Sequence, residues 1–399
     1  MRAASALFQK TLGEALAFVH AYRRCGLLLA VEAAVHCRAL TLMDLSRSFS
    51  ATLRVRTALK RLDRLLGNTG LHAARVTIYQ AMTCRLLRSP TPLIIVDWSS
   101  LKRDGRWCLL RAAVPVKGRC LTVLEWVVPR AKLGDGKVQR AFLLQLKTLL
   151  PEHSRPILIT DAGFRADWFV AVEALGWHWI GRLRGRLRIR HQGQGDWVLC
   201  KERHALQRGS ARDLGTVDLT RTHELACRLV MGARAPLQGR HSFTQAGQRS
   251  KDQRDLDCAQ RTREPRLIAC SLSLGEYQAA MIERMYKRRM QIEESFRDLK
   301  SHRYGMGFED SQTRKAERLE MLLLIHALAQ WVMWIVGLAA ITHALDTFLK
   351  PNASRKSQYS AVRIGKEFIL RGCTGLLLHP LILREIPPDS VPPPISKGK

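Results

Sequence analysis

Paired cysteines are missing from this sequence. Its ten cysteines, at positions 25, 37, 84, 108, 120, 200, 227, 258, 270 and 373, include no CxxC spacing. That pattern gives no support to a zinc site or a thioredoxin-like redox motif, and it suits reduced cysteines serving as small apolar residues in a cytoplasmic protein. The first eighteen residues, MRAASALFQKTLGEALAF, hold neither a long apolar run nor a cleavage site, so no secretory signal is read. No internal repeat is visible. Acidic residues are scarce: 34 Asp and Glu stand against 65 Lys and Arg, for a net charge of +31. A charge that high predicts a polyanionic partner, nucleic acid before acidic lipid. A hydrophobic content of 46% excludes a disordered basic tail, and 399 residues predict two to four structural units. Only one apolar run, MLLLIHALAQWVMWIVGLAA at 321–340, is long enough to cross a bilayer. It contains His326 and Gln330, stands alone and follows a charged segment, so a fully buried core helix is expected and no membrane partner.

Residues 1–85 read as helices. Residues 27–34 are apolar apart from Glu32, and 40–45 suit a short helix. Within 51–66, Val55, Leu59, Leu62 and Leu66 make an i, i+4, i+7, i+11 seam, with Arg54, Arg56, Lys60, Arg61 and Arg64 mostly off it. Gly67 and Asn68 close the helix. A short helix, a break at 48–50 and a basic helix fit a helix-turn-helix-like DNA reader; they fit a basic helical bundle without base contacts equally well.

From residue 89 the pattern changes. Pro90 and Pro92 break the helix, and the apolar run 93–96 reads as a buried strand ending at Asp97. Strands at 107–116 and 120–128 flank a turn at 117–118. A helix at 137–150 ends at Pro151, a strand at 157–160 ends at Asp161, and a helix at 164–175 ends at Gly176 before a strand at 177–181. The order β-β-β-α-β-α-β is that of a ribonuclease-H-like α/β core with a mixed five-stranded sheet. Residues 182–266 interrupt it with nineteen Lys or Arg against nine Asp or Glu, Gly-rich turns and strand-like runs such as 225–230. Arg182, Arg184, Arg186, Arg188 and Arg190 alternate, so one continuous strand would set them all on one face for phosphate contact. The core resumes with a strand at 267–271, a long helix at 276–301 and the apolar helix, to about residue 345. A break at 350–352, a short helical unit and a tail (387–399) too proline-rich to pack complete the chain.

The stretch YKRRMQIEESFRDLK at 286–300 carries the most specific signal. On a helix, Tyr286, Arg289, Glu293, Arg297 and Lys300 share an arc of about 80°. Met285, Ile292, Phe296 and Leu299 form a core-facing stripe about 90° away. Glu294 lies roughly 100° round from Glu293. Asp167 falls inside a helix and Asp104 beside a turn, unlike Asp97 and Asp161. Taken with those two aspartates, the spacing Tyr-x2-Arg-x3-Glu-x6-Lys resembles the signature of the bacterial insertion-sequence transposases grouped under insertion sequence four, with most similarity to the insertion sequence ten member. The resemblance runs to about residue 345 and leaves the tail uncovered.

What the resemblance implies is concrete. The ribonuclease-H-like core at 86–181 and 267–345 would be interrupted by a β-rich insertion at 182–266, with a DNA-binding helical domain at 1–85; beyond the resemblance, composition alone gives 346–399 as a helical region with a disordered tail. In that fold the first and fourth strands adjoin, bringing Asp97 and Asp161 together. Asp97, Asp161 and Glu293 would be catalytic and would hold two Mg²⁺ ions, with Mn²⁺ as a substitute, since two divalent ions about 4 Å apart serve both oxygens of a phosphoryl transfer. Tyr286, Arg289 and Lys300, helped by Arg297, would grip the transposon end. The strand before the signature helix typically begins with a tryptophan that stacks on a flipped base; Arg266 stands at that place here, and a guanidinium can stack or reach a phosphate. The implied activity is cut-and-paste transposition at the nucleoid: a homodimer pairs terminal inverted repeats, nicks, forms and reopens a hairpin, and joins the 3′ ends to target DNA. The alternatives are a nuclease or resolvase on the same fold, or an inactive DNA-binding copy.

Overall fold

Helices α1 (Ala21–His36), α2 (Leu42–Phe49), α3 (Val55–Leu66) and α4 (Thr69–Leu86) come first. Strands β1 (Leu93–Ser100), β2 (Trp107–Val116) and β3 (Arg119–Pro129) follow, then α5 (Gly136–Leu149), β4 (Ile157–Thr160), α6 (Ala166–Glu173) and β5 (His178–Leu183). Next are β6 (Arg188–His191), β7 (Gln194–Leu199), β8 (Arg212–Leu219), β9 (Leu225–Met231) and β10 (Leu267–Cys270). Helices α7 (Ala279–Lys287), α8 (Met290–Lys300), α9 (Ala316–Thr342) and α10 (Ala361–Leu370) close the order. The computed structural model describes residues 12–13, 16–49, 52–116, 118–185, 187–192, 194–233, 248–249, 251–253, 256, 264–303, 305–349 and 359–373. The expected break at 350–352 and the proline-rich tail lie outside them. The described chain is mixed α/β and divides into two compact units, one from residues up to Pro156 and from Arg289 onward, the other Ile157–Arg288.

The first unit is built around α9. Its sequence is apolar on every side, so it buries all of them: 94% of its most hydrophobic window is inside the fold, with α1, α3, α4, β3 and α10 packed against it. The core-helix reading of 321–340 therefore holds. Helix α10 comes closest, because both helices place a glycine at the crossing. A Cβ on Gly365 would sit 1.6 Å from the Met333 carbonyl oxygen, and one on Gly337 1.7 Å from that of Ala361. Strands β1, β2 and β3 form an antiparallel meander in the order β3-β2-β1. Beneath it, the buried Arg111 guanidinium donates to Glu125 at 2.8 Å, and Tyr79 of α4 donates its hydroxyl proton to the same carboxylate at 2.7 Å. Helix α5 is capped by Asp135, whose carboxylate accepts from Lys137 N–H and Val138 N–H.

The second unit holds the order β4-β5-β10-β9-β8-β6-β7. Strands β4 and β5 are parallel and every other pair is antiparallel. β4 and β10 are buried along their whole length, as their unbroken apolar runs require.

Four expectations need correction. First, β1 does not end at Asp97: it runs on to Ser100, with Asp97 opposite Arg111 in the ladder. The apolar run marked where burial stops, whereas backbone pairing with β2 continues regardless of side chain. Second, the expected helix at 276–301 is two helices. Their junction at Arg288 and Arg289 keeps helical dihedrals but tightens to i−3 bonds, Arg288 N–H to Met285 O and Ile292 N–H to Arg289 O. Third, the arginine run is not one strand. Gly185, at φ +69°, turns the chain between β5 and β6. Arg184 pairs with Glu264 and Arg190 with Asp218 and Glu224, while Arg186 lies outside the described residues. Fourth, α2 runs through Ser48, and α3 begins at Val55 and buries Ala58, Leu62, Leu65 and Leu66, leaving Val55 exposed. Its seam is thus shifted from the expected one.

Candidate active site

Asp97 is the fifth residue of β1 and only 5% exposed. Alternation along the strand sends Asp97 and Ser99 to one face, and α8 lies over it. Packing fixes that placement: Ile292, Phe296 and Leu299 are buried, and Ser295 Oγ accepts the Cys120 N–H of β3 at 3.0 Å. Two long cations of the 289–300 stretch then reach the strand. One nitrogen of Arg289, Nη1, donates to Asp97 Oδ2 and to Glu293 Oε1, each at 3.0 Å. The other Asp97 oxygen accepts the Trp98 N–H at 2.8 Å. Lys300 Nζ donates to Ser99 Oγ at 2.9 Å and to the Ser100 carbonyl at 3.2 Å. Burial pushes the Lys300 ammonium pKa down, with the charges of Glu309 and Glu293 opposing.

A buried carboxylate such as Asp97 is costly without a counter-charge, and Arg289 supplies one positive charge to two acids. Glu293 has a half-exposed side chain and shares this guanidinium, whereas Glu294 pairs with Arg297. The separation of roles between the two glutamates follows their difference in angle around α8.

The other sequence-derived residues belong to the second unit. Asp161 directly follows β4, as expected, and accepts the Gly163 N–H at 2.9 Å. Tyr286 is buried in α7, in the second unit. Arg266 precedes β10 with its Nη1 3.6 Å from the buried Glu283 carboxylate, which Lys287 also approaches at 3.1 Å. Sequence reading missed Ser99, though its i+2 spacing from Asp97 was the available signal. It also missed a cleft of about 350 Å³ in the first unit whose lining includes Lys102, Arg103, Arg106 and Arg314. The cluster of cations around Gly105 announces it.

Within each unit, no three described His, Cys, Asp or Glu side chains converge on one metal position. Asp97 and Glu293 nevertheless present hard carboxylate oxygens on either side of a positive charge, a donor set that suits Mg²⁺ or Mn²⁺ rather than a softer ion.

Residues 88–331 match the family model described as the transposase DDE domain. That span is more than half of the chain and includes every residue of the site, and the chain belongs to this family of transposases. Domains of this family generally use divalent metal ions. Among solved structures, the piggyBac transposase synaptic complex with hairpin DNA is similar over 94% of this chain and 76% of that one, at 10% identity and a TM-score of 0.39. No curated protein sequence matches.

Proposed function

We propose that this chain is a cut-and-paste DNA transposase of the insertion-sequence-four kind, akin to that of insertion sequence ten, with Asp97, Asp161 and Glu293 as its acidic residues. The observation that carries the reading is the Asp97–Arg289–Glu293 bridge inside the matched span. It brings Asp97 to two residues of the signature, Arg289 and Glu293, that lie 192 or more positions further along the chain. A ribonuclease-H-like core is supported by the antiparallel β1–β3 meander and the parallel β4–β5 pair. In that fold the strand ending at Asp161 adjoins the strand carrying Asp97, which would complete the trio.

Divalent ions, Mg²⁺ by preference and Mn²⁺ as a substitute, would activate the attacking oxygen and stabilise the leaving one. Asp97 and Glu293 hold hard oxygens ready for them, and Asp161 adds the third carboxylate. Arg289 shares its one positive charge between two of these carboxylates in the free chain; with a metal held there, its guanidinium would be free to meet a DNA phosphate. Lys300, anchored on Ser99 and Ser100, and Arg297 grip neighbouring phosphates, Tyr286 adds a hydroxyl contact, and Arg266 holds the flipped base. The helices of 1–85 bind terminal inverted repeats, two copies pair the ends, and the 3′ ends are joined to target DNA after a hairpin stage, at the bacterial nucleoid in the cytoplasm.

The test is incubation of the full chain and Mg²⁺ with DNA carrying the sequences that flank its gene. Excision at inverted repeats and joining to a second DNA is the expected outcome. Cutting without end specificity or joining would instead indicate a nuclease on the same fold. End binding with no cutting in Mg²⁺ or Mn²⁺ would indicate an inactive copy.

A further inference from the structure

A cavity of about 550 Å³ lies in the first unit, walled by α9, α10 and the C-terminal part of α8, and Asp97 and Glu293 do not line it. Its composition is unusual in two respects. It carries four cations, of which Arg119 pairs with Asp298, Arg297 with Glu294 and Arg363 with Glu367, leaving Lys366. Lys366 has no carboxylate partner among the described residues; its ammonium donates to the Met306 sulfur at 3.9 Å. The N-terminus of α10 also opens here. Ser360 caps Arg363 N–H, and the first amides of the helix have no intrahelical carbonyl to bond. A helix N-terminus beside cations is an anion site.

The second respect is independent of charge. His326 and Gln330, one turn apart on α9, line the same cavity and are each 2% exposed. Among the described residues, neither imidazole nitrogen of His326 has a hydrogen-bond partner, and neither does Gln330 Oε1. Buried polar atoms are seldom left so. A neutral imidazole has one donor and one acceptor, and the glutamine oxygen adds an acceptor. Met306 and Met333 supply polarizable apolar surface nearby, suited to a flat ring. The volume falls within the range of small-ligand sites, roughly 300–1,000 Å³.

We propose that this cavity binds a nucleoside monophosphate group. Its phosphate lies at the N-terminus of α10 beside Lys366 and Arg363, and its base lies against Met306 and Met333, with the base edge meeting His326 and Gln330. A phosphate alone would leave the buried histidine and glutamine unmet, and an uncharged heterocycle would leave the Lys366 ammonium without an anion. The group is either a free nucleotide or one nucleotide unit of a DNA strand. The site stands apart from the acidic residues of the cleavage reading and does not depend on it.

The experiment is calorimetric titration of the full chain, without metal, with the four deoxynucleoside 5′-monophosphates, deoxyadenosine and inorganic phosphate, each to about 1 mM. At least one nucleotide is expected to bind one-to-one and at least tenfold tighter than phosphate or the nucleoside. Lys366→Gln should weaken it at least tenfold. Gln330→Leu should weaken the nucleotide but leave phosphate unchanged, and Arg289→Ala should change neither. If thermal unfolding shows Lys366→Gln to be misfolded, Arg363→Gln takes its place. A 5′-phosphorylated oligonucleotide that displaces the mononucleotide identifies DNA as the source, and one that does not identifies a free nucleotide. The proposal is overturned if no nucleotide binds, if phosphate binds as tightly as every nucleotide, or if Arg289→Ala abolishes binding that Lys366→Gln spares.

Discussion

On the strand-facing side of α8, Arg289 reaches Asp97 and Glu293, and Lys300 reaches Ser99 and the Ser100 carbonyl. Around α9 and α10 the arrangement is opposite: among the described residues, His326 and Gln330 are more deeply buried and carry polar atoms with no partner, while Lys366 has a thioether in place of a carboxylate. A buried polar group stabilises a fold only when its hydrogen bonds are met, and costs about 1–3 kcal/mol when they are not. The named groups of the first region are therefore met by the chain itself. The second is unsatisfied and is completed from outside. The same contrast separates what the sequence signature could mark from what it could not.

The comparison can be broken most severely at the helix crossing that forms one wall of the cavity. Gly365→Val would drive side-chain atoms into the Met333 carbonyl, and a loss of about 3 kcal/mol or more is expected in urea unfolding. Unchanged stability would mean that α10 does not pack this closely. Next in size is Arg289→Ala, which removes the ion pair of a buried carboxylate and should cost about 2–3 kcal/mol. The double change with Asp97→Ala should cost clearly less than the sum of the two single changes. Additivity within about 0.5 kcal/mol would show that the bridge contributes nothing.

His326 sharpens the other side of the comparison through pH. Burial, with Arg111 and Lys366 nearby, pushes its pKa from 6.5 down to about 3. Between those values the unfolded chain binds a proton that the folded chain refuses, so stability falls as pH drops from 6.5 towards 3. The limiting slope for one such group is about 1.4 kcal/mol per pH unit. His326→Leu should remove that share of the slope in acid unfolding curves, and identical curves would place the imidazole in contact with solvent. The smallest effect is expected from Gln330→Leu. Replacing an unmet buried acceptor with an apolar group of similar size should raise stability by about 1 kcal/mol. A loss of the same size would mean that the amide is satisfied within the fold.

Much of the strand order was legible because β4 and β10 are buried on both faces and so read as continuous apolar runs, and because Pro151 and Gly176 mark where helices stop. Glu293 was separable from Glu294 by helical angle together with the signature spacing, and their different partners follow that angle. Three features were not legible. The extension of β1 past Asp97 depends on hydrogen bonds to β2, which side-chain polarity does not report. The junction at Arg288 and Arg289 interrupts a sequence whose local helix propensity is continuous. The unmet atoms of His326 and Gln330 are a property of the packed unit; in the sequence they were only two polar residues in an apolar run.

The central claim, that carboxylates carry the chemistry while the cations hold DNA, is tested most directly by one paired assay. Asp97→Asn, Asp161→Asn, Glu293→Gln and Glu294→Gln would each be measured for Mg²⁺-dependent cleavage and for binding of the flanking end DNA. The first three should lower cleavage by about a thousandfold or more, equivalent to about 4 kcal/mol of barrier, with end binding within a few-fold of the parent. Glu294→Gln should cut normally. Parent-like cleavage by Glu293→Gln, with loss in Glu294→Gln, would contradict the account.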